Sequence, residues 1–185
     1  MVWYPETAPN KVEAFNMMMR LSNIPIQYMH QLIKSDVDVR FVNGPVTNEH
    51  EYQYLKGVTP RGWEGTGKTW DDIKGIGGNQ VVVRIGYSTD GSEHGSVNLE
   101  LHEIAHAMDY YVFSQMGYGS EDVAFKNIAE KERKALFGGD PYFEYDEEYF
   151  AESFAKYYYT PESRAELKRL APLTYEMYRK LESNN

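Results

Sequence analysis

Residues 98–109 read NLELHEIAHAMD, and the fold is decided there. Leu99, Leu101, Ile104, Ala105 and Met108 make an apolar helix of the kind that lies buried. Ser96 or Asn98 stands where an N-cap is needed, and the pattern predicts a helix from about Leu99 to Met116. A separation of four residues sets His102 and His106 on one face, one turn apart. Two imidazoles so placed reach a single zinc ion at about 2.0–2.1 Å. Glu103 adjoins the first of them, where a carboxylate takes the proton of a water attacking a metal-polarised carbonyl. The chain holds only five histidines, so a chance H-E-x-x-H is rare.

A catalytic zinc takes three protein ligands and keeps one position open. The extended pattern with a glycine at 109 and a histidine at 112 is absent, because those positions hold Asp109 and Val112. The remaining source is a carboxylate from a second helix. Residues 142–154, YFEYDEEYFAESF, offer Glu144, Glu147, Glu148 and Glu152. Glu148 and Glu152 share a helix face, and apolar Phe150, Ala151 and Phe154 pack beside them. Glu148 suits a third ligand, with Glu152 behind it holding a ligand histidine by its other nitrogen. Spacing alone does not separate Glu148 from Glu147.

Working outward, residues 10–35 have helical spacing broken at Pro25. Val12, Phe15, Met18 and Met19 form one stripe, and Ile26, Met29, Leu32 and Ile33 another; both read as core packing. Val37–Val42 reads as a strand with Val37, Val39 and Phe41 on one side, ended by Asn43-Gly44-Pro45. Residues 57–78 read as an ordered loop rich in glycine and tryptophan. QVVVRIGY, 80–87, is the strongest strand, bounded by Gly77-Gly78 and Asp90-Gly91. Further helices are predicted over about 121–137, 146–159 and 161–183, the last divided at Pro172. The fold class is α+β: a mainly helical domain over residues 1–185, with a small mixed sheet and the His102 helix as its active-site helix. No internal repeat or low-complexity linker interrupts it.

Composition narrows the functions. There is no cysteine, which removes disulfides, thiolate metal sites and cysteine nucleophiles. A net charge of −9 argues against nucleic acid or an anionic membrane as partner. No apolar run of membrane-spanning length occurs, and the N-terminus lacks the pattern of a signal peptide. The 16 tyrosines are expected largely at clefts and surfaces, where their hydroxyls find partners.

A rival motif is present. Residues 62–69, GWEGTGKT, match the phosphate-binding loop G-x-x-x-x-G-K-[ST]. That motif works only between a buried strand and a helix N-terminus. Pro60 and Arg61 stand where the strand would end, and WDDIKGIGGN follows instead of a helix. Nucleotide binding is therefore rejected in favour of a loop that shapes a peptide cleft.

The words EYQYLKGVTPRGWEGTGKTWDD, GIGG with VVVRIGY, NLELHEIAHAMD and EEYFAESFAKYYY extend well beyond the zinc motif. The chain resembles the secreted bacterial Pro-Pro endopeptidases, relatives of the catalytic domain of anthrax lethal factor, along most of its length. The resemblance implies a zincin-type metalloprotease fold and one zinc ion held by His102, His106 and Glu148, with Glu103 as general base. It also implies a tyrosine before Glu148 that stabilises the oxyanion. Seven residues back lies Pro141, so Tyr142 is chosen, with Tyr145 as the other candidate. The family's loop matching residues 61–70 lies over the substrate, which gives Trp63 a binding role; Arg61 and Glu147 are placed to gate or order that loop. The implied substrates are extended proline-rich segments of surface-anchored or secreted proteins, cut between two prolines beside the strand 82–87. Proline offers no amide proton, so recognition leans on ring stacking, for which Trp63, Trp70 and tyrosines provide flat faces. Secretion and a monomeric state complete the expectation. A lethal-factor-like protease with another sequence preference is the alternative.

Overall fold

The computed structural model describes residues 2–3, 10–89 and 95–183. Its sheet is formed by β1 (Val2–Trp3), β2 (Asp38–Val42), β3 (Gly75–Ile76) and β4 (Gln80–Arg84), in the order β1-β2-β4-β3. β1, β2 and β4 run parallel, and β3 pairs antiparallel with β4, Gly75 opposite Val83 and Ile76 opposite Val82. The alternation of the strands sorts their side chains. Val39, Phe41, Val81 and Val83 enter the main core, while Val42 and Val82 join Val46, Tyr52 and Ile76 in a smaller cluster. β4 ends at Arg84, short of Tyr87, because Gly86 turns the chain with φ 95°. The Asp90-Gly91 turn lies outside the described residues.

Helices cover the sheet: α1 (Lys11–Leu21), α2 (Ile26–Lys34), α3 (Leu99–Met108), α4 (Val123–Phe137), α5 (Asp146–Tyr158), α6 (Pro161–Leu170) and α7 (Pro172–Ser183). Pro172 divides the last two, as its missing amide requires. Asn98 caps α3, its Oδ1 accepting from the Leu101 amide at 3.0 Å. From Leu99 to Met108 only His106 escapes full burial. The predicted helix end near Met116 holds, but the pitch changes on the way. After Met108 the chain widens to a π-helical turn over Asp109–Phe113, tightens over Ser114–Met116 and stops at Gly117 with φ 74°. Buried Asp109 accepts the Ser120 amide there at 2.5 Å, tying the widened turn to the following loop.

α3 packs along α5, and the seam continues into aromatic rings. Phe113 meets Phe150, Phe154 and Tyr178 edge-on, with centroids 5.2, 5.9 and 5.7 Å apart. Tyr28, Tyr149, Tyr157 and Tyr178 are fully buried. The placement of tyrosines at clefts and surfaces holds for most of those described and is corrected for these four, since the helical core supplies partners of its own. The Tyr149 hydroxyl meets Thr174 at 2.8 Å, that of Tyr178 meets Ser153 at 3.0 Å, and that of Tyr157 donates to Glu182 at 2.9 Å.

A second correction concerns α1 and α2. The buried positions are Ala14, Met17, Leu21, Tyr28 and Leu32. Val12, Phe15, Met19, Ile26 and Ile33 are exposed, Val12 at 72%. Met17, Met18 and Met19 occupy three successive positions, so apolarity marks more than one face of α1; packing on α3 selects the face of Met17.

α1 is also tied to α3 by charge. Glu100, in the first turn of α3, is wholly buried and accepts from Arg20 Nε and from Asn98 Nδ2 at 3.0 Å. Arg20 reaches Glu13 at 2.6 Å and Ser88 at 2.9 Å with its remaining nitrogen. Arg20→Met should destabilise the fold by about 3 kcal/mol, because Glu100 is left as a buried charge without its counterion. Arg20→Met/Glu100→Gln should recover most of the loss in urea denaturation.

The phosphate-loop reading fails on context. The preceding element is a 3-10 segment, His50–Leu55, and the next is β3, so Gly62–Thr69 lies between neither a strand and a helix nor at any helix N-terminus. Among the described residues no helix is long and apolar enough to cross a membrane.

Candidate metal centre

The α3–α5 seam brings three of the predicted residues together. Ligand atoms of His102, His106 and Glu148 all lie within 4.8 Å of one another. Glu148 Oε2 stands 3.2 Å from His102 Nε2 and 3.7 Å from His106 Nε2. The two imidazoles are 5.1 Å apart and nearly perpendicular. Glu152, one turn along α5, meets His102 Nδ1 at 3.1 Å. Its oxygens also accept from the Ser96 hydroxyl at 2.6 Å and the Val97 amide at 2.8 Å. A carboxylate so held fixes the proton on Nδ1 and turns the lone pair of Nε2 toward His106 and Glu148.

The donor set fits a cation. Burial alone would lower the His102 pKa, but hydrogen bonds with Glu148 and Glu152 raise it to about 10. Burial would raise Glu148, yet its bond to His102 brings it down to about 2. The imidazolium proton thus occupies a place that two carboxylates have prepared for positive charge. His106 is lowered to about 4, by burial first and by the charge on His102 second. Two nitrogens and a carboxylate oxygen are a zinc donor set, and Glu152 supplies the partner such histidines use.

Glu103 is buried beside the cluster, and burial pushes its pKa up to about 7. The nearby Gly77 amide pulls the other way, favouring the ionised carboxylate, but burial dominates. Gly75 and Gly77 bring the β3–β4 turn against α3 more closely than any side chain permits. A Cβ at Gly75 would stand 2.6 Å from Glu103 Cγ and Oε1; one at Gly77, 2.4 Å from the Glu103 carbonyl oxygen and 2.7 Å from His106 Cβ. The sequence showed GIGG only as a strand boundary. Nothing in it distinguishes a glycine needed for a turn from one needed for a close approach.

Tyr142 sits in the 3-10 segment Pro141–Glu144, its amide bonded to Asp140 at 2.9 Å. The residue is 44% exposed, but desolvation of the hydroxyl and the negative charge of Glu148 beside it raise its pKa above the usual phenol range. Tyr145 faces elsewhere, under the Arg61 guanidinium at 3.9 Å. Arg61 also pairs with Glu147 at 2.9 Å, bridging the glycine-rich loop to α5. Glu147 is thereby outside the histidine cluster, while its neighbour Glu148 is inside. Trp63 is half-buried in the loop, with Lys68 Nζ 5.0 Å from its ring. The strand 82–87 does not offer the peptide-binding edge expected of it. β4 pairs with β2 on one side and β3 on the other, so the free edges of the sheet belong to β1 and β3.

A helix-borne His-Glu-His set facing a carboxylate of a second helix defines a cluster compatible with a metal ion. The family described as anthrax toxin lethal factor, N- and C-terminal domain, matches residues 1–181. A Pro-Pro endopeptidase of Clostridioides difficile is 44% identical over 180 residues, covering 97% of this chain and 80% of the relative. One from Paenibacillus alvei is 44% identical over 185 residues, covering 100% of this chain and 84% of the relative. The solved structure of a Pro-Pro endopeptidase from Paenibacillus alvei superposes with a TM-score of 0.91 at 45% identity, covering 97% of this chain and 96% of that one. The chain belongs to the lethal factor family and, within it, to the Pro-Pro endopeptidases, a group of peptidases.

Proposed function

We propose that the protein is a zinc-dependent endopeptidase that hydrolyses the bond between two prolines in extended segments of surface-anchored or secreted bacterial proteins, and that it is itself secreted and acts as a monomer. The observation that carries this is the convergence of His102, His106 and Glu148 within 4.8 Å, with Glu103 beside them. The specificity is carried over from relatives 44% identical along nearly the whole chain.

His102, His106 and Glu148 would hold a zinc ion, which when bound would supply Lewis-acid chemistry at the scissile carbonyl. Glu103 takes the proton of the attacking water and delivers it to the departing proline nitrogen. A carboxyl whose pKa stands near 7 is suited to both halves of that transfer. Glu152 keeps the Nδ1 proton on His102, so that Nε2 stays a ligand. The Tyr142 hydroxyl, beside Glu148, donates to the oxygen on which charge develops. The substrate lies along the free edge of β3. Prolines withhold amide protons from that pairing, so Trp63 and the cleft tyrosines supply apolar faces instead. The Arg61–Glu147 pair holds the loop of Trp63 down beside the ligand-bearing helix.

Tyr142→Phe should reduce kcat by about 10²-fold with zinc content unchanged, while Tyr145→Phe stays within a few-fold of the parent. Steady-state kinetics with metal analysis reads both. The reading as a whole is tested with a peptide library carrying two central prolines and varied flanks, incubated with and without a zinc chelator and followed by mass spectrometry. Chelator-sensitive cleavage between the prolines is expected. Cleavage elsewhere in the peptides would shift the specificity to another sequence and leave the metal chemistry in place.

A further inference from the structure

We propose that Gly75 is a positioning residue for Glu103: the missing side chain on β3 is the slot in which the Glu103 carboxyl group stands. The inference rests on the reading of Glu103 as general base, but its core is geometric. β3 crosses the N-terminal half of α3 so closely that a Cβ at Gly75 would lie 2.6 Å from Glu103 Cγ, 2.6 Å from Oε1 and 2.9 Å from Cδ. All three contacts are to the Glu103 side chain, none to backbone. The carboxyl group is thus confined from one side by the Gly75 backbone, with the Gly77 backbone close against the Glu103 main chain beyond it. A glutamate on a helix has three rotatable bonds, and a base must keep its oxygen within hydrogen-bond reach of the water it deprotonates. Backbone on one wall reduces those freedoms without placing any titratable group beside the carboxylate.

The two glycines differ in what they protect. An added Cβ at Gly77 meets the Glu103 carbonyl oxygen at 2.4 Å and His106 Cβ at 2.7 Å, so that substitution forces β3 and α3 apart and disturbs a ligand. At Gly75 the backbone has an ordinary negative φ and the three nearest atoms all belong to the Glu103 side chain, which must shift to make room. Gly75→Ala therefore moves the carboxyl group and little else.

The test is a double-mutant cycle on the zinc-loaded full chain, comparing the parent, Gly75→Ala, Glu103→Ala and the combined variant by thermal melting, zinc content and, for the first three, kinetics on a Pro-Pro peptide. Gly75→Ala alone should lower Tm by about 5 °C, since it overfills a packed site. In the Glu103→Ala background the new methyl enters vacated space, and Tm should change by less than about 1 °C. Zinc content should remain at one ion per chain throughout. Gly75→Ala should lower kcat on the order of 10²-fold with KM changed less than about twofold. Equal Tm losses in both backgrounds would overturn the slot, and an unchanged kcat in Gly75→Ala would overturn its positioning role. If Glu103→Ala retains full turnover, the base reading falls instead, and the melting cycle still reports whether the slot exists.

Discussion

Glu103→Ala should lower kcat on a Pro-Pro peptide by about 10²–10⁴-fold while the protein still binds one zinc ion. The separation of the two effects follows from the geometry. The three candidate ligand groups are within 4.8 Å of one another, and Glu103 is not among them. Its carboxylate lies against Gly75, beside the ligand triangle but outside it. The loss corresponds to about 3–5 kcal/mol of barrier, the usual contribution of a proton-transfer group rather than of the whole site. Removing the side chain also relieves a buried carboxyl group whose pKa burial has raised to about 7, so no stability loss should accompany the loss of turnover. Zinc analysis by mass spectrometry, beside kinetics, gives the comparison. Loss of zinc from Glu103→Ala would return Glu103 to the ligand set and remove it as base.

The parts of this fold that were legible in the sequence are those set by local pattern. The α3 helix and its Asn98 cap, the β2 and β4 strands and the break at Pro172 follow from apolar spacing, a capping side chain and a missing amide. The histidine pair is legible for the same reason: two residues one helical turn apart share a face whatever surrounds them. What escaped depends on which elements meet. The Met17–Met19 run presents apolarity on adjacent faces, and only docking on α3 chooses the buried one. β4 proved to be an inner strand because its antiparallel neighbour of two residues, Gly75–Ile76, is too short to announce itself. Tyr149, Tyr178 and Tyr157 went inside because Thr174, Ser153 and Glu182, distant in sequence, arrive as hydroxyl partners. Gly75 and Gly77 were visible as residues but silent as functions, since a close approach is a property of two segments and not of one.

Glu148→Ala should abolish tight zinc binding, and Glu147→Ala should leave it unchanged. Adjacent carboxylates on one helix are chemically alike, and the fold separates them by about a hundred degrees of rotation. Glu148 points into the seam, 3.2 and 3.7 Å from the two Nε2 atoms, and Glu147 points out to Arg61 at 2.9 Å. Removing Glu148 takes away one of the three proposed ligands and also a partner that favours positive charge on His102. Glu152→Gln provides the graded comparison. It spares all three ligand atoms but exchanges the carboxylate that accepts the Nδ1 proton of His102 for an amide, which should weaken zinc by about 10–100-fold. Glu148→Ala must exceed that loss. Competition against a chromophoric chelator orders the three variants. The zinc-dependent rise in Tm gives an independent reading: a ligand at a hundred times its Kd stabilises by about 2.7 kcal/mol, and that rise should vanish in Glu148→Ala, shrink in Glu152→Gln and persist in Glu147→Ala. An undiminished rise in Glu148→Ala would mean that the metal is held by another carboxylate, and the ligand assignment would fail.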